Sequence, residues 1–237
     1  MTKLAAQTVL VTGANRGMGR EYVSQLLDRG VAKVYAAARD PRTIDAVDPR
    51  IVPLELDVTN SASIARAAEL APDVSVLINN AGIARAESVL NPDTSTLRLE
   101  LETNLFGPLA LVSAFADRLA ERSGAIVNIA SVVSWIGLGG SYGVSKAALW
   151  SATDSMRTEL APRGVQVLGV YVGYVDTDMA ASVQGPKSDS RDVVRQVLDG
   201  LEADEVEVLA DETSRAVRAH LNLPIQDQLA RLVPSNA

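Results

Sequence analysis

The sequence predicts a doubly wound α/β fold, a parallel sheet of about seven strands with helices on both faces. Three observations predict it. Seven short, nearly all-apolar and largely β-branched runs are spaced along the 237 residues, as strands buried on both faces require. Helical periodicities fill the gaps between them. A glycine-rich turn joins the first strand to the first helix, where sheets of this kind receive a phosphate.

Taken in order, Thr8–Thr12 reads as the first strand. Gly13, Asn15, Arg16, Gly17, Met18 and Gly19 follow it. Glycines there let the backbone turn sharply and approach a pyrophosphate. The helix opening behind them presents free N–H groups and the positive end of its dipole. Lys33–Ala38 is the second strand. An acidic residue at its end would bind the ribose hydroxyls of NAD. This chain has Arg39 there, with Asp40 one step further on. An arginine fits a 2′-phosphate through a charge-assisted, bidentate contact, and Arg16 is a second cation in reach. The pair points to NADP(H). Ile51–Leu56 is the third strand, where Pro53 requires a bulge or a place near the sheet edge. Val74–Ile78 is the fourth.

Leu97, Leu101, Leu105, Leu109, Val112, Ala116 and Leu119 recur at steps of three and four, which predicts a helix. Gly107-Pro108 lies inside it and should distort it there. Ala125–Ile129 is the fifth strand. Beyond it, Tyr142 and Lys146 stand four apart on a helical stretch, so they share one face. A tyrosine hydroxyl alone titrates near ~10. A neighbouring ammonium favours the phenolate and should lower that value toward the working range. Val165–Val170 is the sixth strand. Gly173–Asp189 has no strong periodicity and reads as a long lid-like loop. Val193, Val194, Val197, Leu198 and Leu201 form a further helix, and Val206–Ala210 the seventh strand. No linker tract or repeat divides the chain, which reads as one domain, 1–237.

Composition excludes several functions. The net charge of −7 argues against binding nucleic acid or an anionic membrane, since phosphate contacts need clustered Lys and Arg. The chain has no cysteine, hence no disulfide framework, thiolate metal site or cysteine nucleophile. The single histidine, His220, has no motif around it and reads as a helix-end or surface residue. Met1–Thr8 lacks the pattern of a signal peptide, and no apolar run reaches the length of a membrane span. The expected location is cytoplasmic.

Together, Thr12-Gly13-x-x-x-Gly17-x-Gly19, Asp57-Val58, Asn79-Asn80-Ala81-Gly82, Asn104, Ser131 and Tyr142-x-x-x-Lys146 resemble the short-chain dehydrogenase/reductase family, in its smaller branch. The resemblance covers nearly the whole length. It implies a Rossmann-type domain and a reversible carbonyl–alcohol oxidoreduction. Tyr142 would be the general acid or base. Lys146 would hold the nicotinamide ribose and depress the Tyr142 pKa. Ser131 would hydrogen-bond the substrate oxygen, and Asn104 would anchor a water that relays protons to Lys146. Asp57 would contact the adenine, Asn80 would order the backbone over the cofactor, and Thr177 would bond the carboxamide. Val58, Ala81, Gly82, Gly173 and Val175 complete the implied cofactor site. Homodimers or homotetramers pairing the helices near 93–122 and 142–162 are implied as well.

Two departures stand out. Ser131 precedes Tyr142 by eleven residues, a residue or two fewer than in most relatives, with Ser134 as a less fitting alternative. Val172 stands where relatives have proline, which predicts a looser start to the long loop. The expected substrate wall is Val133, Trp135, Ile136, Leu138 and Tyr174, largely apolar, so a hydrophobic ketone, aldehyde or alcohol fits. Trp135 is also open to packing in the core or an interface. A nucleotide sensor without chemistry and a nicotinamide-using isomerase are the competing readings. The intact Ser131, Tyr142, Lys146 and Asn104 favour the reductase.

Overall fold

The computed structural model describes residues 3–232, with side chains up to Gln228. Met1 and Thr2, part of the segment read for a leader, lie outside the described residues. Strands β1 (Thr8–Thr12), β2 (Lys33–Ala38), β3 (Ile51–Glu55), β4 (Val76–Asn79), β5 (Ala125–Ile129), β6 (Gln166–Tyr171) and β7 (Glu207–Leu209) form one parallel sheet in the order β3-β2-β1-β4-β5-β6-β7. Pro53 lies on β3, an edge strand, where its missing N–H breaks no central ladder. The fourth and sixth strands start later than their apolar runs do, at Val76 and Gln166. Val74 and Val165 are nevertheless fully buried or nearly so. Burial, not ladder pairing, made them apolar.

Alternation within the strands separates two cores. Val9, Val11, Val76, Ile78, Val127 and Val170 face one side. There they meet α1 (Gly17–Asp28) and α6 (Ser190–Glu202). Leu10, Leu77, Ile126 and Val167 face the other, toward α2 (Ser61–Leu70), α4 (Gly107–Glu121) and the long α5 (Gly140–Leu160). Asn60 caps α2 by accepting from the N–H groups of Ala62 and Ser63, both at 3.0 Å. Asp189 caps α6 in the same way.

The expected single helix around Gly107-Pro108 is three pieces. A short α3 (Ser95–Leu101) leads into a π-helical turn, Glu102–Phe106, and then into α4. The distortion thus sits in the turn preceding Gly107. Two constraints meet there: Pro108 donates no backbone hydrogen bond, and Gly107 lies against Val58, whose carbonyl would be 2.9 Å from an added Cβ. Widening the preceding turn accommodates both and carries Asn104 in the wide turn.

The stretch 173–189 is not the structureless loop its sequence predicts. Asp178–Ala180 forms a 3₁₀ turn. Val175 and Ser188 form a parallel bridge. Asp176 N–H donates to the Ser188 carbonyl at 2.9 Å, and Ser188 N–H to the Tyr174 carbonyl at 2.8 Å. A short helix α7 (Glu212–Ala219) follows β7 and is capped by Asp211. His220 caps its C-terminal end, its ring bonded to the Ala216 carbonyl. A last helix, α8, spans Ile225–Leu232. No described helix is long and apolar enough to cross a membrane.

Candidate active site

The strand order reverses between β1 and β4, both of which follow the same chain direction. A crevice opens beyond their C-terminal ends, where such sheets bind ligands. Thr12 closes β1 there. Its hydroxyl donates to the Ile78 carbonyl and accepts from the N–H groups of Asn80 and Ala81 at 3.0 and 2.9 Å. The Asn80 amide donates to the Thr12 carbonyl at 2.9 Å and the Gly13 carbonyl at 3.3 Å. Asn80 therefore holds the glycine turn in shape from the neighbouring strand. In the sequence Thr12 is only one member of a motif. Its cross-strand role depends on β1 and β4 being adjacent, which the local sequence does not state.

The turn itself tolerates no side chain at its tightest point. A Cβ at Gly19 would lie 2.0 Å from the Gly13 carbonyl oxygen. Gly17 has φ +51°, and a Cβ there would lie 3.3 Å from Thr177 Cγ2. The long loop thus arches back over the turn. Arg16 meets Asp178 of that loop at 3.5 Å, with both side chains largely exposed. Arg16 is accordingly shared with a carboxylate, an exposed contact that a stronger anion can displace. Asn15 is half-buried beside it. Met18 and Val175 turn their side chains into one core, and Val58 and Ala81 into the other, which leaves their backbones to face a ligand.

At the end of β2, Asp40 is held by Arg42 in a bidentate pair with both contacts at 2.9 Å. Its carboxyl is kept below the usual range by that guanidinium. Arg39 is exposed, and no hydrogen bond or ion pair engages its side chain among the described residues. Asp57 is held below the usual carboxylate range by the Thr59 N–H and hydroxyl, with the charge of Arg39 adding to the effect. The acid is thus withdrawn and the cation left available.

Asn104, Ser131, Tyr142 and Lys146 come together beyond β4 and β5. The Asn104 side chain is buried. It accepts from Ile83 N–H and donates to the Ile83 carbonyl and the Ser145 hydroxyl, all at 2.9 Å. Both amide hydrogens are thus engaged, and the amide oxygen keeps one acceptor site. Lys146 is buried, and its ammonium donates to the Ile129 carbonyl at 2.7 Å. It lies 5.7 Å from the centre of the Tyr142 ring. A Cβ on Gly82 would sit 3.2 Å from Asn104 Oδ1 and 3.7 Å from Lys146 Nζ, so Gly82 passes between the two. Ser131 lies just beyond β5; its hydroxyl donates to the Val172 carbonyl at 3.2 Å and accepts from Val133 N–H at 3.4 Å. It pulls the Tyr142 value downward. Ser134 is otherwise occupied, donating to the Lys146 carbonyl at 3.0 Å.

Electrostatics correct one expectation. Tyr142 is not acidified. Loss of water pushes its hydroxyl up to about 12, against the pull of the Ser131 hydroxyl, with Glu100 and Tyr174 adding to the rise. Burial brings Lys146 down to about 8. Desolvation is the largest influence on both groups.

Two further expectations change. Trp135 does not line an open wall. Its ring stacks on Tyr171 at 4.2 Å and meets Trp150 edge-on at 6.3 Å, with Arg218 over its face. Val133 and Tyr174 remain beside the site, and Tyr174 is exposed. The start of the long loop is also firm, despite Val172. Gly173 N–H donates to the Asp211 carboxylate at 2.6 Å, and the Val172 carbonyl accepts from Val132 N–H at 3.0 Å. A polar cavity of about 440 Å³ opens further along that loop, lined by Asp176, Val183, Gln184, Gly185, Lys187 and Asp189. It shares no residue with the tyrosine cluster. Among the described residues no cluster of side chains suits a metal ion.

Comparison with known proteins places this arrangement. A family model described as short chain dehydrogenase matches residues 7–187. A crystal structure of a short chain dehydrogenase from Burkholderia cenocepacia in complex with NADP is 38% identical. It superposes with a TM-score of 0.93 over 98% of this chain and 99% of its own. A ketoacyl reductase, HetN, from Nostoc is 30% identical over 98% of this chain and 85% of its own length. A 3-oxoacyl-(acyl-carrier-protein) reductase from Synechocystis is 32% identical over 77% of this chain and 80% of its own. A match across most of the residues that build the sheet and its crevice, with near-complete overlap on a solved relative, means that this chain belongs to the short-chain dehydrogenase/reductase family of oxidoreductases.

Proposed function

We propose that this chain is an NADPH-dependent carbonyl reductase acting on hydrophobic ketones or aldehydes. The observation that carries the reading is the meeting of Tyr142 with Ser131 and Lys146 beside a glycine turn that only an unsubstituted backbone can make. The cradle at Gly19 and the disengaged Arg39 fit a dinucleotide bearing a 2′-phosphate. Gly13, Asn15, Gly17, Asp57, Asn80 and Thr177 would hold the rest of it. The NADP complex of the Burkholderia relative and the reductase names of the others support the same choice.

When bound, the nicotinamide supplies a hydride for the carbonyl carbon. Ser131 orients the carbonyl oxygen by donating its hydroxyl hydrogen. Tyr142 gives its proton to that oxygen as negative charge develops there. A hydroxyl near about 12 is fully protonated at neutral pH, the form that reduction needs. Lys146 holds its cation under the ring and offsets the phenolate left behind. Val133 and Tyr174, with exposed Leu138 and Met179 nearby in sequence, favour an apolar substrate. Exposed Leu99, Phe106, Leu109 and Val144 on α3 to α5 favour a homo-oligomer built on those helices.

The direct test is NADPH consumption with a panel of hydrophobic ketones. Tight NADPH binding without turnover on any of them would favour a nucleotide sensor. Arg39→Asp probes cofactor choice. Removing a charge-assisted phosphate hydrogen bond of about 1.5–3 kcal/mol should weaken NADPH by about 10- to 100-fold. NADH should change little. Equal effects on both cofactors would remove Arg39 from the 2′-phosphate.

A further inference from the structure

Glu100 is a glutamate with no exposed surface, and the mechanism above does not use it. It sits on α3, one turn before Asn104. One carboxylate oxygen accepts from the N–H groups of Arg85 and Ala86, at 2.6 and 3.1 Å. The other is buried with no hydrogen-bond partner among the described residues. A desolvated carboxylate left half unpaired costs stability, so its presence calls for a reason beyond packing.

The segment it grips supplies one. Ala86 has φ +55°, a left-handed conformation unfavourable for a non-glycine residue. The next residue, Glu87, is tied to the start of α5 by a reciprocal pair. Glu87 N–H donates to the Ser141 hydroxyl at 3.0 Å, and Ser141 N–H donates to the Glu87 carbonyl at 2.8 Å. The contact is backbone to backbone, since a Cβ on Gly140 would lie 2.3 Å from the Glu87 carbonyl oxygen. Tyr142 is the next residue. A continuous brace thus runs from Glu100 through residues 85–87 and Ser141 to the tyrosine.

We propose that Glu100 is a positioning residue for Tyr142, bracing the start of α5 through the backbone of residues 85–87 and Ser141. The inference rests on the reductase reading for its consequence, which is a tyrosine held in place for carbonyl reduction.

Glu100→Gln and Glu100→Ala test the brace. Glutamine keeps an oxygen for the N–H groups of Arg85 and Ala86, and alanine keeps none. In Glu100→Ala, kcat for ketone reduction should fall about tenfold or more at unchanged NADPH affinity, and glutamine should recover most of that loss. Amide hydrogen exchange at Glu87 and Ser141 should quicken in Glu100→Ala and stay near the parent's in Glu100→Gln. Wild-type kcat in Glu100→Ala, or a Glu100→Gln as impaired as Glu100→Ala, overturns the proposal. If Glu100→Ala does not fold, Ser141→Ala opens the other end of the brace, and unchanged kcat there overturns it equally. A wild-type chain that reduces no carbonyl defeats the reductase reading instead, and the exchange measurement then decides the role of Glu100 alone.

Discussion

Tyr142→Phe is expected to lower ketone reduction by about 10³-fold, the usual contribution of a positioned general acid, while NADPH binds within about twofold of before. The substitution removes one oxygen and keeps the ring that Lys146 faces. Ser131 keeps the Val172 carbonyl as its acceptor, so no buried donor is stranded. Rate and binding should therefore separate cleanly. A variant that keeps its kcat would mean that another group delivers the proton. The same variant carries a pH signature. The folded value of about 12 lies above the unfolded value of ~10. The stabilisation linked to Tyr142 is thus complete below about 10 and lost as pH rises through about 12. Thermal unfolding midpoints should converge with the parent near neutrality, and Tyr142→Phe should keep more of its stability between those limits. Parallel losses in the two chains across that window would contradict the raised value.

Gly19→Ala should weaken NADPH binding severely. Its Cβ would enter to 2.0 Å from the Gly13 carbonyl oxygen and 2.8 Å from the Asn80 amide nitrogen. Neither is the loose end of a flexible side chain, because Asn80 is anchored on Thr12 and Gly13. The turn must reshape, at a cost of about 1–3 kcal/mol in stability. The N–H groups of α1 then no longer aim at one point. Forfeiting two hydrogen bonds from that backbone, at about 1–1.5 kcal/mol each, weakens NADPH by about 10²-fold. Calorimetric titration with NADPH, beside a thermal midpoint without it, separates reduced affinity from a damaged fold. NADPH affinity within threefold of the parent would show that the dinucleotide does not use this turn.

Much of this architecture is legible in the residues. Strand positions follow from β-branched runs, because a strand buried on both faces must be apolar along its whole length. The glycine turn follows from spacing, since backbone approach needs glycine wherever the fold places it. Pro53 marks the sheet edge for an equally local reason. The Tyr142–Lys146 pairing is set by the pitch of one helix. The choice between Ser131 and Ser134 is not local. It depends on distant partners: the Ser131 hydroxyl donates to the Val172 carbonyl and the Ser134 hydroxyl to the Lys146 carbonyl.

Sequence alone determined the fold class, the glycine turn and the tyrosine–lysine face, because each follows from a short-range periodicity or a steric requirement. Only the tertiary structure decided the surroundings of those groups. It turned Trp135 into an aromatic stack, gave the long loop a bridged base, raised Tyr142 instead of lowering it, and set Glu100 behind it. The reason is physical. Desolvation and long-range hydrogen bonds depend on which distant segments exclude water from a group, and no local pattern records which segments those are.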